Sequence, residues 1–156
     1  MLLLAVLTTL VACGFRLQGS NKYPEGMANT YIDTRDRYTL FYRDLKIALE
    51  QGGLNVTSSP IDADAVVRIN RDESGQRVLT VSSRNIPEEY DVYYSVVYSV
   101  YMNGQQVVSN RALSRNEDYT FDSTEKLGKD REAEELRAAI SRDLVRQVTY
   151  ELAQLK

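Results

Sequence analysis

Hydrophobic side chains alternate most regularly over residues 89–102, and this alternation predicts the clearest strand of the chain. Tyrosine, valine and methionine occupy every second position from Tyr90 onward, so they share one face of an extended segment. The positions between them form the second face, which also carries the bulky Tyr93, Val97 and Tyr101. Because both faces carry large side chains, we expect one face to pack on helices and the other to be only partly exposed to solvent.

A hairpin is predicted directly after this strand. Asn103 and Gly104 follow it, and an Asn-Gly pair is the strongest short signal for a two-residue hairpin turn. A return strand from Gln105 to about Ser114 should then pair with the first strand. In this register Val107 lies opposite Val100.

Apolar residues at three- and four-residue steps predict two helices. The first helix begins at a cap formed by Thr39 or Asp36 and runs to about Gln51. Gly52 and Gly53 supply the left-handed backbone that stops it.

The second helix is long and ends the chain. Its start has two interpretations: Asp122 or Ser123 can cap it early, but Gly128 favours a start near Lys129 or Asp130. Its apolar stripe consists of Ala133, Leu136, Ile140, Leu144, Val148, Leu152 and Leu155.

Shorter apolar runs predict the remaining strands. They lie at Tyr31-Ile32, Leu54–Val56, Ala65–Ile69 and Val78–Ser83, with a turn over Arg71–Gln76 around Gly75. The order of elements is strand, helix, three or more strands, helix. This order predicts an α+β, two-layer sandwich in which two helices pack on one face of a mixed or antiparallel sheet of four or more strands.

The first residues are apolar and read as a targeting segment. Residues 1–12 match the apolar core of a signal peptide and are too short to span a bilayer. The run from Leu10 to Cys13 resembles a bacterial lipobox, which predicts that Cys13 is acylated. No basic residue precedes Arg16, so a signal peptide shortened at its start is one interpretation. The alternative is a buried N-terminal strand or helix in which the cysteine is a small hydrophobe.

The rest of the chain divides into a tether and one domain. Residues 13–30 hold the lipidated cysteine and a stretch rich in Gly, Ser, Asn and Pro, which predicts a tether. Residues 31–156 are predicted to form a single domain, since 156 residues leave little room for two.

Composition argues against several classes of function. The chain has no histidine and one cysteine, so it lacks the commonest general base and the commonest neutral metal ligand. The net charge of −3 disfavours nucleic acid, and no phosphate-binding glycine motif occurs. We read Asp62 and Asp64, and the pair Glu88-Glu89, as turn residues rather than as a calcium site or glycosidase carboxylates. No catalytic residue, metal site or cofactor is therefore predicted.

Several segments together resemble the LptE family, the lipopolysaccharide-assembly lipoproteins of Gram-negative outer membranes. The most specific are the start at residues 13–17, Cys-Gly-Phe-Arg-Leu, and the block from Val81 to Ile140. The order of elements agrees over essentially the whole chain after Cys13. Gly14 stands where lipoproteins retained in the inner membrane commonly carry aspartate, so the resemblance points to the outer membrane.

The resemblance implies a binding and assembly protein. LptE-like proteins plug the lumen of the LptD β-barrel, help it assemble, and bind lipopolysaccharide as it passes to the outer leaflet. Two basic positions of the family, tied to lipopolysaccharide binding, match Arg84 and Lys129. Arg77 and Lys126 are secondary candidates because they lie nearby in sequence. The alternative is that Arg84 and Lys129 are both ordinary solvated surface charges.

Two other functions remain open at this stage. The chain fits a different outer-membrane lipoprotein, such as a pilotin or an accessory factor of a secretion machine, which uses the same anchor. A periplasmic lipoprotein enzyme acting on envelope glycans is the third hypothesis, and the residue inventory argues against it.

Overall fold

The computed structural model describes residues 23–122 and 126–155. The strands are β1 (Asn29–Asp33), β2 (Asn55–Thr57), β3 (Ala65–Val81), β4 (Pro87–Met102) and β5 (Gln105–Thr120). The helices are α1 (Leu40–Gln51) and α2 (Lys126–Ala153). Short 3-10 turns cover Glu25–Met27 and Pro60–Asp62.

The five strands form one mixed sheet in the order β2-β1-β3-β4-β5. β1 is parallel to both β2 and β3, whereas β3, β4 and β5 form an antiparallel meander. The two helices pack together on one face of this sheet. The α+β class, the two layers and the mixed sheet that the sequence predicts are therefore confirmed.

The core lies between the helices and alternate side chains of β4. The predicted alternation is confirmed, since the inward-facing residues of β4 are all buried or nearly so. α1 contributes Phe41, Leu45 and Leu49, which are fully buried. α2 contributes the predicted stripe from Ala133 to Leu152, in which Leu136 is only partly buried.

Tertiary contacts and a local cap fix the start of α1. The hydroxyl of Thr39 accepts a hydrogen bond from the Tyr42 amide at 3.2 Å, so Thr39 is the cap. The other predicted cap, Asp36, accepts instead from the Tyr38 amide at 2.8 Å. The Phe41 amide in the first turn donates to the hydroxyl of Tyr94 on β4 at 3.2 Å, which ties the helix to the sheet.

Bulges in neighbouring strands lie side by side. The register between β3 and β4 shifts after Ile69, and that between β4 and β5 shifts between Tyr98 and Val100. Asn70 donates to Ser99 and to Asn110, at 2.7 and 2.9 Å, so the polar side chains at the two bulges bind each other. Bulges bend a strand and increase its twist, so the sheet curves at this row.

Three predicted details of the strands are wrong. Val100 pairs with Val108, not with Val107, because the register shifts between Tyr101 and Val100, which leaves Val107 as an extra residue in β5. The return strand β5 also runs to Thr120, beyond the predicted end at Ser114. Residues 71–76 are not a turn but part of β3, since they pair continuously with β4.

The ends of the domain also differ from expectation. α2 begins at Lys126, before the start predicted near Lys129 or Asp130, so the helix tolerates Gly128. The predicted tether, residues 13–30, reaches too far, because Met27 is fully buried and β1 begins at Asn29. Cys13 and the predicted signal peptide lie outside the described residues.

Candidate functional site

The loop between β3 and β4 forms one end of the molecule, and Arg84 lies at its apex. The loop closes on itself: the Ser82 amide donates to the Ile86 carbonyl at 2.8 Å, and the Asn85 amide donates to the Ser82 carbonyl at 2.9 Å. Asn85 takes the left-handed conformation with φ 59°, which asparagine tolerates better than most residues. This tight turn fixes the backbone on which the exposed Arg84 side chain is carried.

Arg84 borders a cleft beside the end of β5. The cleft has a volume of about 460 Å³, and Ile86, Pro87 and Phe121 form its apolar lining. The Phe121 amide donates to the carbonyl of Glu88 at 2.8 Å, which holds the end of β5 against the start of β4. Among the described residues, none forms an ion pair or hydrogen bond with the Arg84 guanidinium, so it is free to bind an external anion.

Lys129 lies in the first turns of α2 and is largely covered. Its side chain is 19% exposed, and its ammonium is 2.9 Å from a carboxylate oxygen of Glu132. Burial raises the pKa of Tyr119, and the carboxylates of Asp130 and Glu132 raise it further, whereas Lys129 opposes them. Lys129 is therefore within electrostatic range of Tyr119, near the end of β5.

An aromatic cluster connects the two predicted basic positions. The ring of Tyr90 stacks on that of Tyr119 with centroids 5.7 Å apart, and it meets the edge of Phe121 at 5.2 Å. Phe121 lines the Arg84 cleft and Tyr119 is within electrostatic range of Lys129. The structure therefore brings Arg84 and Lys129 to the same end of the molecule, although they are 45 residues apart in sequence.

The two secondary candidates differ in their environments. Arg77 lies on β3 with a guanidinium nitrogen 2.6 Å from Asp91, whose side chain is 1% exposed. Arg77 thus neutralises a buried carboxylate, and it also lies over the Tyr93 ring at 5.9 Å. Lys126 is the first residue of α2, and its side chain lies outside the described part of the structure.

The same end of the molecule exposes aliphatic side chains that we did not predict as functional. Val78, Leu79 and Val81 on β3, with Ile86 in the loop, are each about half exposed. The sequence signal for three of them is the run Val-Leu-Thr-Val at residues 78–81. Successive side chains of a strand point to opposite faces, so consecutive apolar residues cannot all face the core. We call these four side chains the apolar tip.

No group of His, Cys, Asp and Glu side chains within residues 23–122 and 126–155 has the arrangement of a metal site. In the same residues neither helix combines the length and the apolar character that a bilayer span requires. Burial raises the pKa of Asp118, and its neighbour Asp91 raises it further, but both belong to the sheet and not to the Arg84 cleft.

Solved structures of bacterial lipoproteins have the same fold. The chain is similar to lipoprotein B from Nitrosomonas europaea, with a TM-score of 0.74 and 20% identity over 90% of each chain. It is also similar to the rare lipoprotein B from Shewanella oneidensis, with a TM-score of 0.69 and 20% identity over 80% of this chain and 93% of that one. A minor lipoprotein from Acinetobacter baumannii gives a TM-score of 0.66 and 16% identity over 81% and 91%. The fold is therefore one that small bacterial lipoproteins adopt.

The family follows from the sequence itself. The family model LptE, described as lipopolysaccharide-assembly, matches residues 27–152, which cover the whole sheet and both helices except Ala153, the last residue of α2. A sequence search among curated proteins gave no match. This chain belongs to the LptE family of lipopolysaccharide-assembly lipoproteins.

Proposed function

We propose that this chain is a plug and assembly partner of an LptD β-barrel, and that it binds lipopolysaccharide during insertion into the outer leaflet. An acylated Cys13 anchors it in the outer membrane, so that the domain faces the periplasm or lies within the barrel lumen. Membership of the LptE family supports this assignment. The function needs no catalytic group, and we propose that the protein is not an enzyme.

The Arg84 guanidinium is the observation that carries the binding role. It is exposed at the apex of a closed turn, and no described residue neutralises it. A guanidinium in this position can form two parallel hydrogen bonds to one phosphate. The lipid A part of lipopolysaccharide carries phosphates, so it provides an anion of the right chemistry.

Lys129 contributes from the same end of the molecule in a different way. Its ammonium is held by Glu132, and the first turn of α2 leaves amide hydrogens directed toward the helix start. An arriving phosphate competes with Glu132 for the ammonium, and the helix dipole favours the same negative charge. Lys129 therefore strengthens the attraction, whereas Arg84 makes the more accessible contact.

The sheet face opposite the helices supports the plug role. It combines aromatic rings with small polar side chains: Tyr93, Ser95, Val97 and Tyr101 from β4, with Ala112, Ser114, Asn116 and Asp118 from β5. Arg68 and Arg77 lie over Tyr101 and Tyr93 at 5.1 and 5.9 Å. The lumen of a large membrane barrel is polar, and a surface of this mixed character can bind such a wall through many hydrogen bonds.

Co-purification tests the partner. The full chain with a tag after Lys156 is isolated from detergent-solubilised envelopes, and the associated proteins are identified by mass spectrometry. A stoichiometric LptD-like barrel is the expected result. Recovery of a secretin or another client instead would support a pilotin or accessory role and overturn the plug assignment.

Charge-removing variants test the binding site. Arg84→Ala should weaken lipopolysaccharide binding about 10- to 150-fold, because a charge-assisted hydrogen bond contributes about 1.5–3 kcal/mol. Lys129→Ala should have a smaller effect, since Glu132 already holds the ammonium. Arg142→Ala is a matched control on the exposed side of α2, and Lys46→Ala removes a lysine paired with Glu50 at 3.8 Å in the same manner. Equal losses in the variants and controls would mean that binding depends on total charge and not on this site.

A further inference from the structure

The apolar tip exposes four large aliphatic side chains to solvent. Val78, Leu79, Val81 and Ile86 have exposed fractions of 45, 45, 50 and 46%. Single exposed hydrophobic residues are ordinary on soluble proteins, but several together commonly mark a binding surface. These four lie within nine residues of one hairpin, whose turn closes with a hydrogen bond from the Ser82 amide to the Ile86 carbonyl.

The apolar tip is next to a positive charge, the Arg84 guanidinium, which can bind the phosphate of an acidic lipid. Arg84 stands between Val81 and Ile86 in the hairpin, and it shares the cleft with Ile86, Pro87 and Phe121. Glu88 and Asp122 also line this cleft, so their carboxylates disfavour a phosphate inside it. The favourable position for a phosphate is therefore at the Arg84 guanidinium, and the apolar surface beside it suits an uncharged chain.

We propose that the apolar tip and the cleft beside it contact the acyl chains of the same lipopolysaccharide whose phosphate Arg84 binds. This inference rests on the proposed function and adds a second, apolar subsite to it. In an amphiphile that has a phosphate next to alkyl chains, the phosphate can bind the Arg84 guanidinium while the alkyl chains contact the aliphatic side chains around it. The cleft volume of about 460 Å³ is within the usual range for small-molecule sites.

If this inference is correct, the affinity for lipopolysaccharide depends on its acyl chains. Each methylene that leaves water strengthens binding about fourfold, so even a few buried methylenes dominate over a single hydrogen bond. Binding should then fall when the chains are removed from the ligand or when the apolar side chains are removed from the protein. Removing the acyl chains and the apolar side chains together should weaken binding no more than removing either one alone.

The test compares two ligands on the full lipidated protein, immobilised through a tag after Lys156 in a fixed concentration of mild detergent. One ligand is intact lipopolysaccharide, and the other is the same material after removal of its ester- and amide-linked chains. The double variant Leu79→Ser with Ile86→Ser should bind intact lipopolysaccharide at least tenfold more weakly and the deacylated form as the parent does. Arg84→Ala should weaken both.

A matched double variant, Ile47→Ser with Ile61→Ser, removes two isoleucines that are 51 and 91% exposed elsewhere. Circular dichroism spectra of all variants establish that the fold is retained. If the tip variant binds intact lipopolysaccharide like the control while Arg84→Ala weakens it, the acyl-chain inference fails and the proposed function stands. If the parent protein binds neither ligand, the proposed function itself fails. Equal binding of the parent to phospholipid vesicles without lipopolysaccharide would instead make the tip a general bilayer contact and overturn the inference.

Discussion

Removing one buried hydroxyl, in the variant Tyr94→Phe, should destabilise the domain without opening a cavity. Tyr94 is buried on the helix-facing side of β4, and its hydroxyl accepts a hydrogen bond from the Phe41 amide at 3.2 Å. That amide is in the first turn of α1, where no carbonyl of the same helix can accept from it. Burial raises the pKa of Tyr94, and the nearby carboxylate of Asp72 raises it further, so the phenol stays neutral.

The magnitude follows from what the missing hydroxyl leaves behind. The Phe41 amide would be buried without an acceptor, which costs about 1–3 kcal/mol. One carboxylate oxygen of Asp72 is already buried without a hydrogen-bond partner, and it would lose the neighbouring phenol as well. We therefore expect a loss of about 2–3 kcal/mol in the free energy of unfolding.

Urea unfolding followed by circular dichroism measures this loss. With a slope of about 2 kcal/mol per molar urea, the midpoint should fall by roughly 1 M. Tyr93→Phe is the control, because Tyr93 lies on the opposite face of the same strand and its hydroxyl makes no hydrogen bond within the described residues. Equal stability of Tyr94→Phe and Tyr93→Phe would refute the claim that the tyrosine caps the helix across the core.

Three further perturbations test separate parts of the structure. Hydrogen bonds from Arg111, and then Tyr98, lower the pKa of Glu151, so its contribution to stability is present above pH 4.5 and is lost as the pH falls through the lowered pKa. In a series of unfolding midpoints measured at different pH values, Glu151→Gln should therefore lose stability less steeply than the parent protein on the acid side. Arg77→Ala leaves the buried carboxylate of Asp91 without its cationic partner, so thermal unfolding should show a loss of about 1–3 kcal/mol, while lipopolysaccharide binding should not change. Gly104→Ala meets no atom within 4 Å but forces a side chain to φ +77°, so its expected cost is only the backbone strain of about 1–2 kcal/mol, measured by urea unfolding.

The sequence predicted those parts of the fold where local signals and the final packing agree. The alternation along β4, the turn at Asn103 and Gly104 and the capping by Thr39 are all confirmed. At Asn103 and Gly104 the backbone has φ values of 51 and 77°, as the mirror-image hairpin turn requires. Each of these elements depends on residues adjacent in sequence.

The errors arose where pairing over a long distance decided the structure. Residues 71–76 look like a turn because they are polar and contain Gly75, yet β4 supplies hydrogen-bonding partners along their whole length. A Cβ at residue 75 would lie 2.7 Å from the Tyr93 hydroxyl oxygen, so a larger residue there would have to displace that side chain. The bulge at Asn110 similarly depends on Asn70 and Ser99, which no local pattern connects.

The candidate site was predictable only in part. The resemblance to the family supplied Arg84 and Lys129, but not their common position at one end of the molecule, which depends on the aromatic cluster of Tyr90, Tyr119 and Phe121. No sequence pattern distinguishes Arg77, which neutralises a buried carboxylate, from Arg84, which has no partner among the described residues. Burial and pairing, rather than charge or sequence position, separate the two roles.

Site-specific photo-crosslinking in living cells tests the central claim most directly. A photoreactive residue replaces the exposed Ser83 beside Arg84, and in a control strain it replaces Ile61, which lies near the start of β3, at the opposite end from the β3–β4 loop. After irradiation, the protein is purified and probed with an antibody against lipopolysaccharide. We predict a lipopolysaccharide adduct at position 83 and none at position 61. An adduct at position 61 with none at position 83 would contradict the proposal that this loop is the site of lipopolysaccharide contact.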